Sequence, residues 1–311
     1  FKIIEEIGRN GTIAVYKAYQ SSLDRIVAFK VIPSSCFSGL EELNRFQQTV
    51  QAASRLKYNG IVQIYEAGES GNFYFIAAEY IKGYNLARWL QNNKGKLSES
   101  NALIIAESIA YALGYAWDNA HLTHNNFKPT NIFIDEDGTT KVGDLGMTRF
   151  RETDKEKKVE PVFASDPHYT APEQFDGISH TDCRSDIYSL AALLYLLITG
   201  KVPFEGTAIE KIEHLQKHGQ LDDPRVIVPS TSNSMAMLLR KMFAKDKRYR
   251  HANWNELIAD ISLVRAKKKP AKPLPIGIKT TLKNFTGGKA GSHTSSQVKS
   301  TTTNKQTSAT N

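Results

Sequence analysis

His124-Asn125-Asn126-Phe127-Lys128-Pro129-Thr130-Asn131 is the stretch on which the reading of this chain turns, and Asp144-Leu145-Gly146 follows it thirteen residues on. Two short apolar pieces, 131–134 and 140–142, flank the turn residues Asp135-Glu136-Asp137-Gly138 and predict a hairpin between them. Downstream lie Ala171-Pro172-Glu173 and Asp186-Ile187-Tyr188-Ser189-Leu190; upstream, a turn carrying Gly8 and Gly11 precedes Val27-Ala28-Phe29-Lys30. A glycine turn is usually only a turn, and a lone strand lysine is usually solvated. Five such elements in this order are not a chance arrangement.

Periodicity supplies the frame. Residues 1–7, 12–19, 25–32, 61–67 and 72–81 are rich in Ile, Val, Tyr and Phe between turn residues, which predicts short antiparallel strands. One helix interrupts them, with apolar residues at helical spacing from Leu43 to Leu56 and a capping box over Ser38-Gly39-Leu40-Glu41. After Gly83 the pattern is helical, with long apolar helices over 102–120 and 186–199, the second apolar nearly all round and therefore buried. The expected fold is α+β and bilobal: a small antiparallel sheet lobe over about 1–82, a larger helical lobe over about 83–264, and a cleft between them.

Composition narrows the class. The chain has 311 residues, 41% of them hydrophobic, and no apolar run long enough to span a membrane. Its two cysteines, Cys36 and Cys183, make neither a zinc site nor a disulfide framework, so a reducing compartment is the default. The net charge of +8 belongs to the end of the chain: 265–311 holds ten basic residues and no acidic one, leaving 1–264 at −2. That Lys-, Pro-, Gly-, Ser- and Thr-rich tail is expected to be a disordered linker, with an anionic membrane surface or nucleic acid as its alternative partner.

Residues 1–264 resemble a eukaryotic-type serine/threonine protein kinase domain of the bacterial branch. The resemblance implies a bilobal kinase fold, ATP and Mg²⁺ as cofactors, and a protein substrate or partner. It places Gly8 and Gly11 in the phosphate-covering loop, Val15 and Ala28 over the adenine, and Phe133 beneath it. Ala78 becomes the gatekeeper and Glu79 to Ile81 the hinge. Lys30 would hold the α- and β-phosphates, and Asn131 and Asp144 the metal. Glu173 would pair with Arg250, and Asp186 would anchor the catalytic loop. In bacterial relatives a membrane helix often follows such a basic linker, so a cytoplasmic domain, tethered or not, is implied.

The departures fall on the chemistry. Asn126 stands where the family has its catalytic Asp, and a carboxamide cannot act as a base near neutral pH. Asn10 and Ile13 replace the second and third glycines of the loop, and a β-branched Ile keeps the backbone from folding closely over phosphates. Counting back from Ile61-Val62 puts Thr49 where the family has the glutamate that pairs with Lys30, with Gln48 or Gln51 as substitutes if the register slips. Asn125 replaces the arginine that receives activation-loop phosphate, so Thr153 in the charged stretch 151–159 reads as an ordinary surface residue. Ser165-Asp166-Pro167 replaces Gly-Thr-Pro, and Asn126, Lys128 and Asp166 are expected to close a polar network with the carboxylate moved across the site. The reading is a kinase homologue with absent or strongly reduced phosphotransfer and weak ATP binding. An active atypical serine/threonine kinase and an interaction module acting through its tail are the alternatives; oligomeric state is not legible.

Overall fold

The computed structural model describes residues 1–93, 95–147, 166–177, 181–272, 274–275 and 278–283. Strands β1 (Lys2–Asn10), β2 (Ile13–Gln20), β3 (Arg25–Pro33), β4 (Ile64–Ser70) and β5 (Phe73–Glu79) form one antiparallel sheet in the order β1-β2-β3-β5-β4. Helix α1 (Leu40–Ser54) packs on β4, and Ile32, Val50, Ala53, Ile64 and Ile76 form an apolar cluster with Met147 from the other lobe. The strands follow from their composition: β-branched and aromatic residues fit a half-buried pleated surface. The start of α1 differs from expectation. Gly39 is its N-cap, and Glu42, not Glu41, accepts from the backbone N–H and hydroxyl of Ser38, both at 2.7 Å.

The larger lobe is built on α3 (Glu99–Ala120) and α4 (Cys183–Thr199), packed with α7 (Asn233–Met242) and α8 (Trp254–Arg265). Between sheet and helices sit β6 (Tyr84–Asn85) and α2 (Leu86–Asn92); α5 (Ile209–His218) and α6 (Pro224–Ile227) precede α7. Ser98, Asp182 and Asn253 cap α3, α4 and α8 with side-chain oxygens, and Gly200 ends α4 in the left-handed conformation at φ 74°. Helix α4 is buried along nearly its whole length, and each of its fully buried Leu and Ile side chains contributes about 1.5–3 kcal/mol by leaving water. The expected hairpin is present as β7 (Ile132–Ile134) and β8 (Thr140–Val142), closed by Asp135 N–H to Thr139 O at 3.0 Å.

The two lobes meet tightly. A Cβ on Gly83 would lie 1.8 Å from the carbonyl oxygen of Ile134, so only glycine lets the connecting strand pass. Val62 N–H donates to Val142 O and Val142 N–H to Gly60 O, tying the loop after α1 to β8.

The expected boundary at 264 needs correction. Beyond α8 the chain folds back: Ala271 N–H donates to Asp260 Oδ1 at 2.7 Å, and Thr280, Thr281 and Leu282 are buried against the helical lobe. Thr281 exchanges backbone bonds with Leu221 (2.5 Å) and Phe243 (3.0 Å), Lys283 N–H reaches Leu221 O at 2.8 Å, and Lys245 N–H reaches Lys279 O at 3.1 Å. Paired backbone and one buried leucine offset the ordering entropy that the composition of the whole tail could not. Among the described residues no helix is long and apolar enough to cross a membrane. The remainder of the tail, Thr153 and Ser165 lie outside the described residues.

Candidate functional site

Backbone bonds bring the two decisive sequence stretches together. Gly143 N–H donates to Asn131 O at 2.8 Å and Gly146 N–H to His124 O at 3.3 Å, so the turn carrying Asp144 lies against the loop 124–131. Asp144 sits in the left-handed region at φ 55° and Asn125 at φ 57°, a conformation that Asp and Asn tolerate better than most residues. Asp186, buried on α4, accepts from the N–H groups of His124 and Asn125 at 2.7 and 3.1 Å. Burial pushes its carboxyl up to about 7, against the pull of those two N–H groups.

Register places the cleft-facing residues on one side of the sheet. Val15 lies opposite Lys30, Lys17 opposite Ala28, Ala28 opposite Ala78, and Lys30 opposite Ile76. Ala78 also lies opposite Ile64 on β4. Glu79 is held from below: the buried Lys141 of β8 reaches its carboxylate at 2.9 Å and Asn59 Oδ1 at 3.1 Å. Phe133 packs against Gly143, where an added Cβ would come within 2.8 Å of the ring.

Lys30 Nζ bonds the carboxylate of Asp144. Burial raises the Asp144 carboxyl, but the Lys30 ammonium that bonds it, with the Lys128 charge nearby, outweighs burial and holds it below the ordinary value. Thr49 occupies the helix face that meets this turn: its Cγ2 would stand 2.6 Å from a Cβ on Gly146, while its hydroxyl turns back to Arg45 O at 2.9 Å. No carboxylate from α1 bonds Lys30 among the described residues.

The position expected of a catalytic Asp is occupied by a neutral, buried amide. Asn126 N–H donates to His124 Nδ1 at 3.3 Å, Asn131 Nδ2 donates to Asn126 O at 2.9 Å, and Asn126 Oδ1 has no hydrogen-bond partner among the described residues. His124 is fully buried against Phe127, and burial lowers its pKa to about 4, so the ring is neutral. With its Nδ2 engaged, Asn131 keeps its oxygen, and Asp144 keeps the oxygen that Lys30 does not take. Two oxygens and a lysine fit a magnesium ion and a phosphate chain, though with fewer anionic donors than a strong site would have.

Two expectations need correction. The network of Asn126, Lys128 and Asp166 does not form: Asp166 Oδ1 accepts instead from the N–H and Nδ1 of His168, at 3.0 and 2.7 Å. Asp166 lies two residues before His168 in a tight turn, so its nearest donors are local; the Lys128 side chain makes no hydrogen bond among the described residues, its carbonyl alone accepting from Asn131 N–H at 3.0 Å. Ile13 acts differently from expected. Gly11 makes the turn at φ 57°, and the Ile13 side chain is buried in the apolar cluster that contains Met147, one residue past Asp-Leu-Gly. It fills space beneath the loop instead of stiffening the backbone above it.

Beyond the loop, Arg250 donates to both oxygens of Glu173 at 2.6 and 2.8 Å and to the carbonyls of Ala244 and Arg184. Gln174 Nε2 reaches Asn125 Oδ1 at 3.2 Å, which binds 171–176 to the loop without a guanidinium. Gln174, Lys141 and His168 carry no motif signal; the alternation of β8 would even predict a different residue at the buried position of Lys141.

Comparisons with known proteins agree with this geometry. The family profile described as Protein kinase domain matches residues 1–260. The chain is 35% identical over 263 residues to the serine/threonine-protein kinase PrkC of Bacillus subtilis, covering 84% of this chain and 40% of PrkC. It is also 35% identical over 269 residues to a probable serine/threonine-protein kinase of Clostridium acetobutylicum, covering 85% and 40%. The chain thus spans about 40% of the length of these curated relatives. Among solved structures, the kinase domain of Mycobacterium tuberculosis PknI matches with a TM-score of 0.67 at 21% identity, covering 84% of this chain and 94% of that one.

Proposed function

The chain belongs to the protein kinase family, and from that premise we propose that it is a serine/threonine kinase homologue whose phosphotransfer is absent or strongly reduced, which takes ATP and Mg²⁺ weakly and engages a protein partner. The observation that carries this is Asn126: a buried amide, its oxygen unpartnered among the described residues, stands where a proton acceptor is needed. An amide can orient a hydroxyl but not deprotonate it, a loss of roughly 10²–10⁴ in rate. It does not abolish catalysis outright, because phosphoryl transfer rests mainly on positioning and charge stabilisation.

Those remaining contributions are also weakened. Asn131 and Asp144 would hold Mg²⁺, which, when bound, neutralises charge on the phosphates. Lys30 would have to share Asp144 with the metal or leave it, since no glutamate from α1 receives it. Ile13 fills part of the space beneath the phosphate-covering turn. The charged tail is a less supported route to a partner.

The test is radiolabel transfer from ATP to a generic protein substrate, with Asp144→Asn as control. The expected result is transfer indistinguishable from the control. Turnover at the rate of an ordinary kinase, lost in Asp144→Asn, would establish an active atypical kinase in its place. A melting shift with millimolar ATP and Mg²⁺ tests the binding claim separately; no stabilisation would remove it.

A further inference from the structure

Three fully buried polar side chains join the folded-back tail to the segment before Ala171-Pro172-Glu173. Gln216, on α5, donates from Nε2 to the carbonyl oxygens of Pro167 and His168, both at 3.0 Å. Its Oε1 accepts from the Tyr188 hydroxyl at 2.7 Å, and that hydroxyl lies 2.8 Å from Thr281 Oγ1. Gln216, Tyr188 and Thr281 are each 0% exposed.

Their chemistry fixes the direction of every bond. Pro167 and His168 offer carbonyls, which only accept, so the amide nitrogen must face them and the amide oxygen must face Tyr188. A tyrosine has a single hydroxyl proton, and it goes to Gln216. Thr281 must therefore donate to Tyr188. The chain Thr281 to Tyr188 to Gln216 to the two carbonyls has one arrangement only, and removing any hydroxyl leaves a buried neighbour unpaired.

We propose that Thr281, Tyr188 and Gln216 are positioning residues, through which the strap 278–283 sets the backbone of 166–170. That segment needs an external hold. Its internal bonds are Tyr169 N–H to Asp166 O (3.0 Å), the Thr170 hydroxyl to Asp166 O (2.9 Å), Thr170 N–H to Pro167 O (3.4 Å) and the Asp166–His168 contact, whereas the strongest bond to each of the Pro167 and His168 carbonyls comes from outside, from Gln216. Lys245 fixes the other end of the same residue, donating from Nζ to Gln216 O at 2.5 Å, while its backbone N–H donates to Lys279 O of the strap. The strap thus reaches 166–170 by two routes that converge on Gln216. The inference concerns conformation alone and does not depend on whether phosphate is transferred.

Hydrogen exchange on the full 311-residue chain tests it, using Thr281→Val and Tyr188→Phe, which remove one oxygen each and keep the shape. The amides of Tyr169 and Thr170 should exchange roughly five- to tenfold faster in either variant, the scale of one lost buried hydrogen bond. Thr281→Ser should restore the native rate, and the double variant should go no further than either single one. Unchanged exchange at Tyr169 and Thr170 in both variants would overturn the proposal. So would additive effects, failure of Thr281→Ser to rescue, or acceleration spread equally over β3 and β5, which marks general loosening and not a relay.

Discussion

Lys30 and Asp144 are each other's counter-ion in this structure, although both belong to groups that elsewhere in the family serve phosphate and metal. The pairing follows from Thr49. With a hydroxyl in place of a carboxylate on the helix face that meets the Asp-Leu-Gly turn, the half-buried lysine has one anionic partner among the described residues. Half-buried cations without a partner are costly, so the lysine takes the carboxylate within reach.

Thr49→Glu should therefore relieve Asp144. A carboxylate at that position gives Lys30 a second partner and frees an oxygen for Mg²⁺. Affinity for Mg·ATP is expected to tighten about tenfold, the equivalent of about 1.4 kcal/mol, by titration calorimetry. Unaltered affinity would show that the Lys30–Asp144 pair is not what limits binding.

Asn126→Asp restores the proton acceptor without altering shape. Because the transition state still lacks an aligned Lys30, a partial recovery is expected: phosphotransfer rising by about 10²-fold in the single variant and further when combined with Thr49→Glu. A flat response in both would locate the defect elsewhere in the cleft.

The Glu173–Arg250 pair is expected to be the most sensitive point for stability. The arginine side chain is fully buried and donates to both carboxylate oxygens and three backbone carbonyls. Removing one partner leaves an uncompensated charge, so Glu173→Gln should cost about 3–5 kcal/mol in denaturant unfolding. Arg250→Lys should fare little better, since an ammonium cannot make the two parallel bonds.

His168 carries a pH dependence. The bond to Asp166 raises its pKa more than partial burial lowers it. A histidine whose folded pKa is raised adds stability below its unfolded value of about 6.5 and loses that contribution as pH climbs through the folded value. Local protection of Tyr169 and Thr170, measured by exchange and corrected for intrinsic rates, should fall as the pH rises above about 6.5. In His168→Gln the dependence should vanish.

The sheet lobe was legible from its alternating apolar runs: predicted and observed strands differ by at most about three residues at either end, as at β4, which begins at Ile64 and not Ile61. Helix α4 announced its burial by being apolar all round. Asp186 and the Glu173–Arg250 pair were legible through the resemblance to the kinase family, which Ala171-Pro172-Glu173 and Asp186-Ile187-Tyr188 carry; Arg250 itself lies in no motif. What escaped were contacts set by three-dimensional proximity between ordinary residues. Gln216, Tyr188 and Thr281 are far apart in sequence, and no pattern links the three: Tyr188 sits in an apolar helix that signals burial but not its partners. The strap was hidden because Thr280-Thr281-Leu282 is short and flanked by lysines, so average composition outweighed three buried residues. Asp166 misled because its role was argued from what it replaces, whereas its partner was decided by the donor two residues away.

Ala78 puts only a methyl group on β5 at the place where the proposed function has a nucleotide lie. Its methyl group faces Ala28 and Ile64 across the ladder, where a larger side chain would close off the depth of the sheet. The chain is accordingly addressable by synthetic chemistry: an adenine derivative bearing a benzyl group on its exocyclic nitrogen should raise the melting temperature more than ATP does, and Ala78→Phe should reverse that order. Such a compound would mark this protein in a mixture of ATP binders, whatever its own catalytic competence.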